Sequence, residues 1–224
     1  TPVIIEKGGV KIAFLGLSDV GPDWMKATAD KPGILLASDP NLGEIVKNAK
    51  ASADYLVVSV HWGDEYKPHN ARQEFLAHNL IDAGADIVAG HHPHVAQDVE
   101  AYGKGLIIYS LGNFVFDQYF SEETMQGMFA EVTLGPDGIV DHHETTFKLN
   151  DKYQPILPSR GDSNAFAFDR GSCEIGNSDT NQMFANVSAD LGVDNYIPEG
   201  LVEIKDAVTT KEDRNICLAE EAAL

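Results

Sequence analysis

The sequence predicts an α/β protein whose first half forms a sheet with crossover helices. Apolar runs rich in β-branched residues occur at 11–17, 55–60 and 86–89, and this composition is typical of buried strands. Segments with apolar residues at helical spacing lie between them, at 42–49 and 70–84. Strands that alternate with helices in this way indicate a parallel sheet.

Local signals place the ends of these elements. Gly8 and Gly9 form a predicted turn before the first strand. Residues 19–33 hold two prolines and two glycines, which predicts a loop with a short helix. Asp39 is the predicted N-cap of the first long helix, and Gly84 ends the second.

The pattern changes after Gly90. Short apolar runs are now separated by glycine-containing turns, and they predict an antiparallel meander instead of further strand–helix units. The predicted strands are 95–101, 105–110, 128–134 and 140–149. From residue 151 the periodicity fades, which predicts a loop-rich C-terminal segment with a short helix near 179–191.

Charge and cysteine content restrict the partners and the compartment. The chain has 224 residues, with 35 acidic and 16 basic side chains and a net charge of −19. We expect no binding to nucleic acid or anionic lipid, because such a surface repels both. No apolar run reaches the about 18 residues of a membrane span, so no transmembrane segment is expected in this chain. Cys173 and Cys217 would form a disulfide if the protein is exported, and would otherwise be two buried thiols.

Histidines follow two of the predicted strands. His61 follows the run 55–60, and the sequence Gly-His-His-Pro-His follows the run 86–89. In extended backbone His92 and His94 would point to the same side. Two imidazoles presented in this way favour a divalent metal, and His61 supplies a third nitrogen if the two strands are neighbours.

Two further residues are candidates for proton transfer. Under the same alternation His91 points away from His92 and His94, which leaves it as a general acid–base or as a group that orients a ligand. Glu65 is close in sequence to His61 and could assist the chemistry in either way. An exposed loop carboxylate with no role is the alternative for Glu65.

Three motifs resemble one known family. They read His-Trp-Gly-Asp-Glu-Tyr at 61–66, Gly-Ala-Asp-Ile-Val-Ala-Gly-His-His-Pro-His-Val at 84–95 and Tyr-Ser-Leu-Gly-Asn-Phe-Val-Phe-Asp at 109–117. In this order they resemble the bacterial capsule-synthesis CapA family, which is linked to poly-γ-glutamate. The resemblance implies part of a four-layer α/β/β/α metallophosphoesterase-like sandwich, with a dinuclear metal site.

The resemblance also implies how the chain is divided. Residues 1–150 would be the C-terminal half of the family domain, and residues 151–224 a loop-rich extension packed on it. Family members usually carry a preceding half with an early Gly-Asp segment and an Asn-His pair. We therefore expect a fragment or a cleaved chain, whose first half is supplied from elsewhere.

By this resemblance His61, His92 and His94 would be metal ligands, and His91 and Glu65 would assist catalysis. The metal would be of the Mn, Fe or Zn class. The implied function is capsule or poly-γ-glutamate biosynthesis, with hydrolysis of a phosphoryl or acyl bond by metal-activated water if the missing half is supplied. The alternatives are a non-catalytic capsule-assembly or polymer-binding partner and a small-substrate metallophosphoesterase.

The expected partners follow from the same resemblance. They are an anionic polymer or a phosphoester substrate, the missing N-terminal half, and a capsule-synthase subunit, at an extracellular or cell-envelope location. Because the chain itself carries −19, a polyanion would need a local positive centre. Lys67 and Arg72, beside a bound cation, are the candidates for that centre.

Overall fold

A computed structural model describes residues 1–157 and the strands Leu201–Ile204 and Arg214–Ala219. This part of the protein is mixed α/β, with two sheets. The first sheet has the spatial order β1-β2-β3-β4-β6-β5. Its strands are β1 (Val3–Lys7), β2 (Val10–Ser18), β3 (Tyr55–His61), β4 (Ile87–His91), β5 (Val99–Tyr102) and β6 (Gly105–Ile108).

The second sheet is antiparallel and has the order β10-β11-β7-β8-β9. Its strands are β7 (Gln126–Gly135), β8 (Gly138–Leu149), β9 (Pro155–Ile156), β10 (Leu201–Ile204) and β11 (Arg214–Ala219). The helices of the described residues are a 3-10 helix (Asp23–Met25), α1 (Leu42–Lys50) and α2 (Ala71–Asp82).

The first sheet brings several strand ends to one edge. Strands β2, β3, β4 and β6 run parallel, while β1 and β5 pair antiparallel at the two sides. The register places Ser18 beside His61 and His61 beside His91. Ligand sites in such sheets form beyond the carboxyl ends of parallel strands, and this is where the histidines lie.

Alternation along the strands builds two cores. Leu56 and Val58 of β3 pack with α1 and α2 on one face of the first sheet. Tyr55 and Val57 pack on the other face, against Val132 and its neighbours in the second sheet. The described residues therefore form a helix layer and two sheet layers, with the first sheet buried on both faces.

The two helices predicted between the strands of the first half are confirmed, but one cap was wrong. The N-cap of α1 is Asn41 and not Asp39. The Asp39 carboxylate accepts a hydrogen bond from the Asn41 backbone N–H at 2.9 Å, because Pro40 places it in a turn before the helix. The start of α2 at Asn70 is confirmed by a capping box with Gln73.

Two strand predictions are corrected. Residues 105–108 form β6, which pairs antiparallel with β5 as the predicted meander requires. It also pairs parallel with β4, so this hairpin belongs to the first sheet. All four residues of β6 are buried, as expected of an interior parallel strand. Strand β1 was missed, because Val3 and Ile4 remain exposed. The hairpin of β7 and β8 is confirmed.

Some expectations fall outside the described residues. The helix expected near 179–191 and the side chains of Cys173 and Cys217 lie in parts of the chain that the structure does not describe. The division at residue 150 stays a prediction. Within the described part, no helix has both the length and the apolar character needed to cross a bilayer.

Candidate metal centre

A buried tryptophan ties together the strand ends that carry the histidines. Trp62 is fully buried, and its indole Nε1–H donates to the Tyr109 carbonyl oxygen at 2.8 Å. A Cβ added at Gly90 would lie 2.1 Å from that oxygen and 2.4 Å from Trp62 Nε1. Only glycine therefore fits where β4 passes under the indole. Trp62 N–H also donates to the His91 carbonyl oxygen at 3.0 Å.

The loop after β3 is folded back against α2. Gly63 has φ +81°, and a Cβ there would lie 2.7 Å from the side chain of buried Gln73. Asn70 Nδ2 donates to Asp64 at 2.8 Å. Tyr66 N–H donates to the Pro93 carbonyl oxygen at 2.8 Å, which joins this loop to the segment that carries His92 and His94.

The backbone of the site is strained at two histidines and at a tyrosine beside them. Among the described residues, four that are not glycine have positive φ, and three of them are His92 (98°), His94 (58°) and Tyr66 (61°). Side chains rarely adopt this region, and such outliers cluster at functional sites. The extended backbone predicted for 92–94 was wrong, because the chain bends here.

This bend brings a carboxylate and two imidazoles together. One ligand atom each from Glu65, His92 and His94 lies within 4.8 Å of the other two. The His92 ring lies 6.1 Å from the His94 ring and 4.5 Å from the His61 ring, centroid to centroid. Glu65 is exposed and the two histidines are half-buried. The four side chains share one cleft at the carboxyl edge of the first sheet.

The placement differs from the expected roles or directions at three residues. Glu65, predicted as an acid–base group, lies in the same group as His92 and His94, whereas His61 stands beside His92. His91 pairs in register with His61, so the two side chains lie on the same face of the sheet. The expectation that His91 points away assumed an extended 92–94 segment, which the structure lacks.

The electrostatics favour neutral imidazoles. Burial, together with the nearby charges of His92, His91 and His94, lowers the pKa of His61 from 6.5 to about 4. Burial also lowers the pKa of His92, against the opposing effect of Glu65. Neutral histidines keep a nitrogen lone pair available, which is the form that binds metals.

Aromatic rings line one side of the cleft. The Tyr66 ring is stacked 6.0 Å from the His94 ring, and Phe116 lies 5.0 Å from the same imidazole. Phe120 meets Tyr66 edge-on at 5.0 Å.

Arg72 donates to both carboxylate oxygens of Asp19, at 2.9 and 2.6 Å. Its charge is thus already compensated, which weakens its predicted role as a positive centre for a polyanion.

Sequence reasoning assigned no role to Asn113, although its motif had been noted. This residue is fully buried, and its Oδ1 lies 2.9 Å from Nδ1 of His94. A polar residue that follows a glycine a few residues beyond a buried strand is the signal that could have identified it. The strand-end pattern alone pointed only to histidines.

Known proteins share these motifs. The sequence profile of the family described as bacterial capsule synthesis protein PGA_cap matches residues 1–118. The chain belongs to this family. The PGA biosynthesis protein CapA of Bacillus subtilis (strain 168) is 42% identical over 146 residues, which are 62% of this chain and 38% of that protein. The capsule biosynthesis protein CapA of Bacillus anthracis is 48% identical over 116 residues, 49% of this chain and 28% of that protein.

A more distant relative has a related name. The probable polyglutamine synthesis accessory protein of Mycobacterium tuberculosis (strain ATCC 25618 / H37Rv) is 34% identical over 104 residues, 43% of this chain and 27% of that protein. The predicted membership of the capsule-synthesis family is confirmed. The chain spans less than two fifths of the length of these relatives, and the family match includes the whole histidine cleft.

Proposed function

We propose that Glu65, His92 and His94, with His61 beside them, form a divalent-metal centre in a protein of capsule or poly-γ-glutamate biosynthesis. The observation that carries this proposal is the approach of one ligand atom each from Glu65, His92 and His94 to within 4.8 Å of one another. We further propose that the chain is part of a metallophosphoesterase-like sandwich that acts at the cell envelope or outside the cell. The capsule-related names of its relatives support that setting.

The donor set suits a metal of the Mn, Fe or Zn class. Imidazole nitrogen and carboxylate oxygen bind these ions. Burial lowers the pKa of His92, which favours the neutral form that binds metals, and the backbone bend at both histidines brings the two rings close together. Such a site needs a carboxylate ligand, and Glu65 can supply it. We therefore assign Glu65 the role of a metal ligand in preference to that of a general acid–base.

Each residue of this cleft has a distinct task in the proposed hydrolysis. A bound divalent cation supplies Lewis acidity and lowers the pKa of a coordinated water. His92 and His94 would hold the cation, and Glu65 would compensate part of its charge. His61, half-buried and neutral, can accept or deliver a proton at its free ring nitrogen. Tyr66 and Phe116 shield one side of the cleft from bulk water.

The remaining question within this proposal is the substrate. The CapA relatives are named for capsule and PGA biosynthesis, which favours hydrolysis of a polymer or of its phosphorylated precursor. The non-catalytic alternative keeps the metal centre but uses it to bind the anionic polymer. In that case the cation would supply a local positive centre on a chain whose net charge is −19.

Metal-dependent hydrolysis tests the proposal. The purified chain is assayed with Mn²⁺, Fe²⁺ or Zn²⁺ against chromogenic phosphoesters and against poly-γ-glutamate, followed by release of product and by polymer length. Where hydrolysis occurs, we expect chelator to abolish it and Glu65→Gln to reduce it at least about 10-fold, because an anionic ligand is replaced by a neutral amide.

Glu144→Gln is the matched control, since Glu144 pairs with His142 on β8, and it should leave the rate unchanged. Metal binding without hydrolysis of any substrate would favour the non-catalytic polymer-binding role. Cleavage of small phosphoesters but not of polymer would favour a small-substrate phosphoesterase. Absence of both metal binding and hydrolysis would contradict the proposal.

A further inference from the structure

We propose that Asn113 is a positioning residue for the metal centre. Its buried carboxamide holds the His94 ring with the proton on Nδ1, which leaves Nε2 as the nitrogen that binds the metal. The part of this inference that concerns metal binding rests on the proposed function. Asn113 itself acts only through His94.

The surroundings of Asn113 fix which end of its amide faces His94. Asn113 Nδ2 lies 2.9 Å from the Thr124 backbone carbonyl oxygen, an atom that can only accept a hydrogen bond. The nitrogen of the amide must therefore be at that end. Its oxygen is left facing Nδ1 of His94 at 2.9 Å.

This orientation determines the state of the histidine. An amide oxygen only accepts, so the bond at 2.9 Å requires the His94 proton to be on Nδ1 when the ring is neutral. The lone pair is then on Nε2. Metal-binding histidines commonly donate their second N–H to such an acceptor, which fixes both the tautomer and the plane of the ring.

The same amide also orients the aromatic wall. Asn113 Nδ2 lies 3.3 Å from Gln118 Oε1, and Gln118 Nε2 donates to the Tyr66 hydroxyl at 3.0 Å. Tyr66 in turn stacks on the His94 ring. One network of side-chain hydrogen bonds therefore holds both the His94 imidazole and the Tyr66 ring that stacks on it.

The backbone leaves Asn113 little freedom to shift. Gly112 before it has φ +73°, a conformation that favours glycine. A Cβ at Gly127 of β7 would lie 2.2 Å from the Asn113 carbonyl oxygen, so the second sheet packs directly against this residue. A rigid, buried acceptor of this kind has the properties required to orient a ligand.

The test begins with the tautomer of His94 in the metal-free 224-residue chain. Long-range ¹H–¹⁵N NMR at alkaline pH, where imidazoles are neutral, should show His94 protonated on Nδ1 in the wild type. Asn113→Ala should abolish this preference. Asn113→Asp keeps an acceptor at the same place and should preserve it, even where the lost bond to Thr124 lowers stability.

The second measurement is affinity for Zn²⁺, by competition with a chromophoric chelator. We expect Asn113→Ala to weaken binding about 10- to 100-fold, as is typical when a partner that orients a ligand is removed. Asn113→Asp should restore most of the loss. Thr124→Val is the matched control, because it removes the Thr124 hydroxyl bonds to Gln118 and Ser121 but leaves the Asn113–His94 bond in place.

The outcomes separate this inference from the proposed function. A His94 proton on Nε2 in the wild type, or a tautomer unaffected by Asn113→Ala, would overturn the positioning role whether or not zinc binds. Equal losses of zinc affinity in Asn113→Ala and Thr124→Val would overturn it as well. If the wild-type protein shows the predicted tautomer but binds no zinc, the proposed metal centre is contradicted. The role of Asn113 in orienting His94 is then still supported.

Discussion

Two segments of this protein carry adjacent histidines, and only one of them builds a cleft. In β8, His142 pairs with Glu144 at 2.7 Å and His143 pairs with Asp141 at 2.9 Å. The regular alternation of the strand sends these two pairs to opposite faces.

The segment from His91 to His94 lacks that regularity. Positive φ at His92 and His94 turns the chain, so the two rings approach Glu65 instead of separating. Histidines that are adjacent in sequence thus do not by themselves form a site. The difference lies in the backbone, and the glycines and buried side chains around it maintain the bend.

The largest expected effect is on metal affinity. His94→Ala should weaken Zn²⁺ binding by more than about 100-fold, because loss of a ligand exceeds the usual cost of losing a group that only orients one. His143→Ala removes an imidazole of similar exposure on β8 and should leave affinity unchanged. Chelator competition measures both. Equal effects of the two substitutions would erase the distinction between the two segments.

The next effect is on stability, at the glycine beneath Trp62. Gly90→Ala should lower the free energy of unfolding by about 1–3 kcal/mol or more, because the new Cβ would meet the Tyr109 carbonyl and the indole. Gly43→Ala is the control, since a Cβ there meets nothing within 4 Å in α1, and it should not destabilise. Urea unfolding measures both variants. A Gly90→Ala protein as stable as the wild type would mean that the packing of Trp62 against Gly90 does not stabilise the strand ends.

The pH dependence of stability should also differ between the histidine cleft, here at His61 of β3, and β8. The pKa of His61 is lowered from 6.5 to about 4 in the folded, metal-free protein. Between these values the unfolded chain binds more protons, so stability falls as pH decreases from about 6.5 toward 4. His61→Asn should flatten this slope, whereas His143→Asn should retain it. Urea midpoints measured across this range provide the test, and an unchanged slope in His61→Asn would show that His61 is not buried in its neutral form.

The smallest expected effects belong to β8. His142→Ala and His143→Ala each remove one contact between an imidazole and a carboxylate at the protein surface, and each should change the free energy of unfolding by no more than about 0.5–1 kcal/mol. Thermal unfolding at neutral pH would detect a loss of stability larger than this limit. A larger loss would indicate that these pairs have a structural role comparable with that of the bend.

The residue types of the site were readable from the sequence, but its geometry was not. His61, His92 and His94 stand out because they follow apolar runs that can only be strands. The role of Glu65 depends on how Gly63 and Gln73 fold the loop after β3, and no local pattern encodes that contact.

Long-range pairing explains the other differences. The four-residue run of β6 predicts a hairpin strand, and β6 does pair antiparallel with β5. Its second, parallel pairing with β4 makes it an interior strand of the first sheet, and no local pattern encodes that pairing. Likewise the expected direction of His91 followed from an alternation that ends at His92. Local periodicity predicts elements well where the backbone is regular, and it fails where strain at the site replaces that regularity.

The most direct test of the central claim is the position of a bound ion. Crystals of the chain soaked with Zn²⁺ should give an anomalous difference peak about 2.0–2.2 Å from a nitrogen of His92, a nitrogen of His94 and an oxygen of Glu65. A peak at that place would establish that the strained bend forms a metal site. Zinc bound instead at His142 or His143, with none in the cleft, would contradict the account.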